Sequence, residues 1–559
     1  MTINRLLVAN RAEIASRVFA TCRRLGIETV AVHSDADADL PYVHEADHAV
    51  RLPGSAPADT YLRGDLVIDA ARRTGADAVH PGYGFLSENA AFARAVEAAG
   101  LTWVGPTPES IERMGSKIEA KQIMAAAGVP VLEAPVEPTE ADLPLLVKAS
   151  AGGGGRGMRI VRALADLPGE IENAAAEAVS AFGDGTVFVE PYVEDGRHVE
   201  VQVLGHRVGV LVLGERDCSI QRRHQKVVEE APAPGLPDAT RVALHEAARA
   251  AAAAIGYLGA GTVEFLYDGA RDAFWFLEMN TRLQVEHPVT ELVLGVDLVE
   301  LQLEVAEGGS PGLEARFARA STSGEGRSAR ASTSGEGRFA RTSTSGEGHA
   351  IEVRLYAEDP ADEYRPQSGV LTRFEIPTPE GVRVDAGYAT GSVVSTHYDA
   401  MLAKVIAWAP TREQAARRLA DALAKARIHG VVTNRDLMVR ILRSPAFLAG
   451  EVSTAFLTEG LEARSARTST SGHAVAAALG LAERTGETRA VQQGIPVAWR
   501  NVPSQLQRTA FETDVVEWLG GRDGYVVDGW AVVAASPDHV ILDRDGLRTS
   551  YDLGAAPLE

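Results

Sequence analysis

LLVKASAGGGGRGMRIV, residues 145–161, carries Gly152, Gly153, Gly154, Gly155 and Gly157 between two apolar runs. Linkers sit between polar runs. This stretch has LPLLVKA before the glycines and MRIV after them, which predicts strand, glycine turn, strand. Glycine lets backbone N–H groups approach an anion with no side chain in the way. Lys148 and Arg156 bracket the turn with positive charge, a composition suited to a lid over phosphate. Alone, the stretch fits an exposed hairpin as well, so its surroundings must decide.

Upstream, residues 1–115 alternate strand and helix signals. RLLVAN, ETVAVHS, DAVHPG and TWVGP read as strands, and RAEIASRVFATCRRLG and DLVIDAARRTG as helices. The pattern predicts a doubly wound α/β unit on a parallel sheet. Its first strand is not followed by G-x-G-x-x-G, so no dinucleotide site is indicated. Downstream come the helix SKIEAKQIMAAAG, the hairpin, and the strands TVFVEPYV, RHVEVQVLG, GVLVLGERDCS, GAGTVEFLYD and AFWFLEMN, with helices at ATRVALHEAARAAAAAIGY and VDLVELQLEVAEG. Residues 316–348 then repeat an 11-residue unit three times, RFARASTSGEG, RSARASTSGEG, RFARTSTSGEG, with a partial copy at 464–472. Ser, Thr, Gly and Arg bury too little surface to offset ordering entropy, so both tracts are expected to be disordered inserts. Folded patterns resume at HAIEVRLYAED and run to the helix TREQAARRLADALAKAR, and the tail from 473 reads as a helix followed by short strands.

The chain has 559 residues, enough for three or four domains, and 45% hydrophobic residues. No 18-residue apolar span is present and the N-terminus is too polar for a signal peptide, so a cytoplasmic protein without a membrane segment is expected. Two cysteines, Cys22 and Cys218, exclude a disulfide framework. A net charge of −21 argues against nucleic acid. An anionic small substrate needs only a local basic pocket.

Three clusters carry chemistry. Lys117 and Lys148, with the glycine N–H groups, suit a nucleoside triphosphate. Glu264 and Glu278 sit in apolar strands, and Asn280 shares a strand face with Glu278. Carboxylates in that setting are costly unless paired or metal-bound, and such oxygen ligands suit Mg²⁺ bridging phosphates. A satisfied salt bridge is the alternative. ERDCSIQRRHQKVVEE (215–230) and TRLQVEHPVTE (281–291) mix basic, amide and acidic residues. If extended, Arg282, Gln284 and Glu286 lie on one side. Lys226 and Arg282 could hold a small oxyanion with Glu286 as base, or the stretch is a solvated charged face.

Together these clusters resemble an ATP-grasp enzyme. ANRAEIASRV, HPGYGFLSEN, KASAGGGGRGMRIV, RHVEVQVLG, ERDCSIQRRHQKVVEEAPAPG, GAGTVEFL, FLEMNTRLQVEHPVTELVLGVDLV, HAIEVRLYAEDP and YDAMLAKVI resemble biotin carboxylase, in the family's order over residues 1–460. The resemblance implies an α/β chain: a Rossmann-like N-terminal domain over 1–115, an ATP-grasp domain with a glycine lid over 116–315, the disordered insert at 316–348, an α+β C-terminal domain over 349–462, a disordered linker at 463–475 and a partial β-rich module over 476–559. It implies that Lys117, Lys148, Gly153, Gly154 and Gly155 bind ATP phosphates. Glu190 and Val193 would take the adenine end, with His198, Gln221 and His224 around ribose and phosphates. Glu264, Glu278 and Asn280 would hold Mg²⁺ or Mn²⁺. Lys226, Arg282, Gln284, Val285 and Glu286 would bind bicarbonate, Glu286 would deprotonate it, and Arg282 and Arg354 would meet biotin, Arg354 stabilising its enolate.

The tail stretch PVAWRNVPSQLQRTAF resembles the linking module of acyl-CoA carboxylase α-chains, which continue to a biotinyl domain with an M-K-M-type lysine, a motif not found in this sequence. The implied activity is carboxylation of biotin on a separate carrier, the first half-reaction of an acyl-CoA carboxylase of fatty acid biosynthesis. The implied partners are a biotin carboxyl carrier and a carboxyltransferase β subunit, and the implied state is a homo-oligomer. The sequence departs from the family in having Ala12 where glycine is usual, a short segment between Val129 and Lys148, and the insert before Arg354. Another ATP-grasp ligase and a truncated or inactive assembly subunit are the competing readings.

Overall fold

The computed structural model describes residues 2–133, 135, 137–150, 158–223, 225–309, 348–457, 471–491, 495, 497–499, 505–511 and 514–554. The expected parallel sheet is present at the N-terminus. Strands β1 (Arg5–Val8), β2 (Glu28–His33), β3 (His48–Arg51), β4 (Ala78–His80) and β5 (Thr102–Trp103) lie in the order β3-β2-β1-β4-β5, and every neighbouring pair is parallel. Helix α1 (Ala12–Leu25) buries Ile14, Ala15, Val18, Phe19 and Cys22, spaced so that one stripe faces the core. Gly26 ends it at φ 73°, a left-handed C-cap. Ala12 itself sits at φ 55°, where a side chain is strained, and the position that a Cβ on Gly387 would occupy is 2.6 Å from the Ala12 Cβ. The substitution noticed in the sequence therefore stands at a backbone conformation that suits glycine.

The segment after α2 (Lys117–Ala126) forms a small sheet of β6 (Leu145–Ala149), β7 (Arg159–Val161) and β8 (Val187–Pro191), antiparallel in the order β7-β6-β8. The opening stretch is thus the expected hairpin, and its glycine tip, 151–157, lies outside the described residues. A second sheet has eight antiparallel strands. Five come from the central segment, β9 (Arg197–His206), β10 (Gly209–Arg222), β11 (Gln225–Ala231), β12 (Gly259–Asp268) and β13 (Ala273–Asn280). Three come from beyond the repeats, β14 (His349–Tyr356), β15 (Val382–Ala386) and β16 (Met401–Ala409). The order is β13-β12-β9-β10-β11-β14-β16-β15, so the sheet runs without interruption across the two segments. The repeat insert expected at 316–348 lies, except for Gly348, outside the described residues.

A helix at Ser471–Glu487 begins inside the stretch expected to be a disordered linker over 463–475. Ala474, Val475, Ala478, Leu479 and Ala482 give it an apolar stripe that packs with Trp518, Val527, Val540 and Leu542 of the tail strands, and this burial corrects the expectation for residues 471–475. Two three-stranded antiparallel sheets complete the tail. Among the described residues no helix is long and apolar enough to cross a membrane.

Candidate active site

A cleft of about 1450 Å³ opens between the N-terminal loops, the glycine hairpin and one face of the eight-stranded sheet. Of the residues singled out in the sequence, Lys117, Lys148, Glu190, Val193, His198, Gln221, Lys226, Glu264, Glu278, Asn280, Arg282, Gln284, Val285, Glu286 and Arg354 all line it. His224 and Gly153, Gly154 and Gly155 lie outside the described residues.

A row of charges set by strand register runs from Arg216 and Glu200, buried beneath the cleft, to Glu264 and Glu278, which line it. Arg216 on β10 pairs with Glu200 on β9, Glu200 with Glu264 on β12, and Glu264 with Glu278 on β13. Like charges directly opposite one another on a sheet repel. Arg216 answers at one end. It is fully buried, and its guanidinium donates to Glu200, Gln202, Thr290, Thr262 and Gln284 over 2.6–3.2 Å, which uses every N–H it has. Lys226 answers from above, with Nζ 2.6 Å from Glu200, 2.9 Å from Glu264 and 2.7 Å from Glu286. Burial opposes the charge on Lys226, but the three carboxylates outweigh it and hold the ammonium well above its usual range. At the far end, burial and then the Glu264 charge push the Glu278 carboxyl up, with Lys117 opposing them only in part. That end of the row is short of positive charge.

Lys226 reaches the row because β11 is irregular. Its pairing with β10 slips by one residue between Ile220–Val228 and Gln221–Lys226. A bulge re-aims the side chains beside it. Here Lys226 meets Glu286, while Glu229, three residues on, accepts from Arg354 Nε at 2.5 Å. Arg354 Nη2 in turn donates to Glu286 Oε2 at 3.1 Å. Residues 281–286 are not the extended strand considered from the sequence; they form an irregular turn into the helix α3 (His287–Leu294), with Glu286 at its N-cap position. The side chains converge all the same. Arg282 donates to Asn280 Oδ1 at 2.7 Å and to Glu88 at 2.9 Å, and Gln284 donates to Glu264 at 2.8 Å. Burial by itself raises the Glu286 carboxyl, but Lys226, Arg354 and Arg216 overcome it and hold it well below the usual carboxylate range.

At the other end of the cleft Lys148 and Lys121 both pair with the Glu190 carboxylate. The Glu190 side chain therefore faces the lysines on β6 and α2. Burial lowers the Lys117 ammonium, with Glu278 and Glu190 resisting. His198 Nε2 lies 2.8 Å from Glu264, and His198 Nδ1 is 3.0 Å from Gln221 Nε2.

Sequence reading missed Glu200, Arg216, Lys121, Glu88 and Glu229. A signal existed for two of them. His198, Glu200 and Gln202 put a polar side chain at every second position of an apolar strand, and Lys121 follows Lys117 by one helical turn. Arg216, Glu88 and Glu229 stand out only once the register is known.

The comparisons agree with this geometry. The family described as "Biotin carboxylase, N-terminal domain" matches residues 2–111, "Carbamoyl-phosphate synthase L chain, ATP binding domain" matches 109–312, and "Biotin carboxylase C-terminal domain" matches 352–459. A biotin carboxylase of Halalkalibacterium halodurans is 45% identical over 83% of this chain and 99% of its own length. The mitochondrial methylcrotonoyl-CoA carboxylase subunit alpha of Glycine max is 44% identical over 81% of this chain, which spans 60% of that longer protein. The biotin carboxylase domain of Hydrogenobacter thermophilus 2-oxoglutarate carboxylase, solved with MgADP, ADP and bicarbonate, superposes with a TM-score of 0.73 at 40% identity, covering 83% of this chain and 99% of that domain. The three family models run in order along residues 2–459, the relatives match over most of this chain, and the chain belongs to the biotin carboxylase family of ATP-dependent ligases.

Proposed function

We propose that this chain carboxylates biotin on a carrier, using ATP and bicarbonate, as the first half-reaction of an acyl-CoA carboxylase. The observation that carries the reading is the meeting of Lys226, Glu286 and Arg354 within 3.1 Å contacts at one end of a cleft whose other end holds Lys117, Lys121 and Lys148. Bicarbonate entering between Lys226 and Glu286 takes up the lysine charge. That frees the Glu286 carboxylate, whose present ion pairs make it a weak base, to accept the bicarbonate proton. The bicarbonate oxygen then attacks the γ-phosphorus of ATP, the bond to the ADP oxygen breaks, and carboxyphosphate forms. Its decomposition gives CO₂ and phosphate, the phosphate takes the N1 proton of biotin, and N1 attacks CO₂ while Arg354 stabilises the enolate. Carboxyphosphate is labile in water, which gives a closing hairpin its purpose.

The Glu264–Glu278 end of the row fits a divalent cation. Hard oxygen donors crowd together where positive charge is short, and the Glu278 carboxyl is pushed up for lack of it. Glu264, Glu278 and Asn280 would hold Mg²⁺ or Mn²⁺, which supplies charge neutralisation on the transferring phosphates. Lys117 and Lys148 would share that task, with Gly153, Gly154, Gly155 and His224 contributing from the hairpin tip and the β10–β11 turn. Methylcrotonoyl-CoA carboxylase relatives favour an acyl-CoA system with a biotin carrier and a carboxyltransferase as partners.

The test is ATP hydrolysis with and without bicarbonate, free biotin present, for the wild type and Glu286→Gln. Biotin-stimulated, bicarbonate-dependent turnover that falls by roughly 10²–10⁴-fold in the variant supports the reading. ATP binding without turnover in the wild type would replace it with an inactive assembly subunit.

A further inference from the structure

Lys404, on β16, is fully buried and belongs to no cluster discussed so far. A buried ammonium is costly unless it is well paired. If Lys404 served only as half of an ion pair, a carboxylate would be its nearest partner. Instead its Nζ donates at 3.0 Å to the backbone carbonyl of Val285, while Glu13 stands at 3.4 Å and Asp385 at 3.7 Å. Two carboxylates stand near Nζ, and its shortest contact goes to a neutral carbonyl.

That carbonyl belongs to the peptide that leads into Glu286. It lies in the irregular turn 281–286, where no strand ladder fixes the backbone. Lys404 also pairs across the strands with Arg354 on β14, so the two side chains leave the sheet on the same side. Glu286 is thus held twice by one cross-strand pair: Arg354 reaches its carboxylate at 3.1 Å, and Lys404 reaches the peptide before it at 3.0 Å. A third tie runs to the N-terminal unit. Glu13 of α1 stands beside Lys404 through one oxygen, and its other oxygen accepts from the Tyr83 hydroxyl at the cleft wall.

We propose that Lys404 is a positioning residue for the bicarbonate end of the cleft. It fixes the Val285–Glu286 peptide, and so the direction of the Glu286 carboxylate, from a strand that also carries Arg354. This rests on the function proposed above. It predicts an effect confined to bicarbonate, because among the described residues the contacts of Lys404 run to Val285, Glu13, Asp385 and Tyr83 and not to the lysines of the ATP end.

The experiment uses the full chain, with free biotin as acceptor and circular dichroism as a check of folding. Lys404→Met keeps the length of the side chain and removes its donor; Lys404→Gln is shorter and uncharged; Lys404→Arg keeps the charge and donors. The expected result is a bicarbonate KM raised on the order of tenfold or more in Lys404→Met and Lys404→Gln, with the ATP KM within about twofold of wild type, and partial recovery in Lys404→Arg. A folded Lys404→Met with an unchanged bicarbonate KM and kcat overturns the inference. So does a parallel rise in the KM of both substrates, which is the mark of a merely structural lysine. If Lys404→Met does not fold, Lys404→Gln is read by the same criteria. A wild type with no bicarbonate-dependent hydrolysis refutes the proposed function itself, and this inference with it.

Discussion

His80 ends β4 just before the PGYGF turn, whose Tyr83, Gly84 and Phe85 line the cleft, and its imidazole is fully buried. Its Nδ1 accepts from the Gly82 N–H at 2.9 Å, and its Nε2 lies 3.1 Å from Gln302 Oε1. Both contacts are satisfied by the neutral ring with its proton on Nε2, leaving no room for a second proton without breaking the Gly82 bond. Burial accordingly drives its pKa down from 6.5 to about 4. The unfolded chain takes up this proton near pH 6.5 and the folded chain refuses it until near pH 4. The stabilising contribution is therefore intact above pH 6.5 and is lost as pH falls through that window. Between pH 7.5 and pH 5.0 the loss comes to about 2 kcal/mol. His80→Gln keeps one donor and one acceptor but cannot titrate. Urea unfolding of both proteins at the two pH values isolates the His80 contribution, because carboxylate contributions are common to both. The wild type is expected to lose about 2 kcal/mol more than the variant. Parallel losses in the two proteins would refute the assignment of a neutral, refusing imidazole.

Two further outcomes follow from the geometry. Ala12→Gly should raise thermal stability by up to about 1 kcal/mol, since relief of the left-handed strain at φ 55° exceeds the extra chain entropy of glycine; a fall in the melting temperature would show that the Ala12 methyl is a needed contact. Lys226→Met leaves Glu200, Glu264 and Glu286 without their shared cation and should cost about 3–5 kcal/mol in urea unfolding, with a loss under about 1 kcal/mol counting against the charged row as described.

Much of the fold was legible because it rests on local periodicity. The parallel sheet, the glycine hairpin and the long antiparallel strands each announce themselves by apolar runs and turn residues. The site was legible only where function had concentrated unusual residues in such runs, as at Glu264, Glu278 and Lys226. What escaped was long-range. Glu88 meets Arg282 from 194 residues away, and Glu229 meets Arg354 across 125 residues, and neither separation leaves a trace in a window of neighbouring residues. The bulge in β11 was equally invisible, although it decides that Lys226 and Glu229 serve the same site. The short helix and strand at Pro41–Glu45 and His48–Arg51 went unread because elements of that length carry too few periods to show.

The placement of β14 has a consequence for how this protein can be handled. The strand lies between β11 and β16, hydrogen-bonded on both sides, although the family boundaries fall at 312 and 352. A cut at those boundaries also divides the sheet, between β11 and β14. The central piece would be left with the open edge of β11, and the C-terminal piece with the open edge of β14, its apolar residues bared. Unsatisfied edges of this kind recruit other chains. Fragments trimmed to family boundaries are thus built to aggregate, whereas the same two pieces produced together have matching edges through which to rejoin.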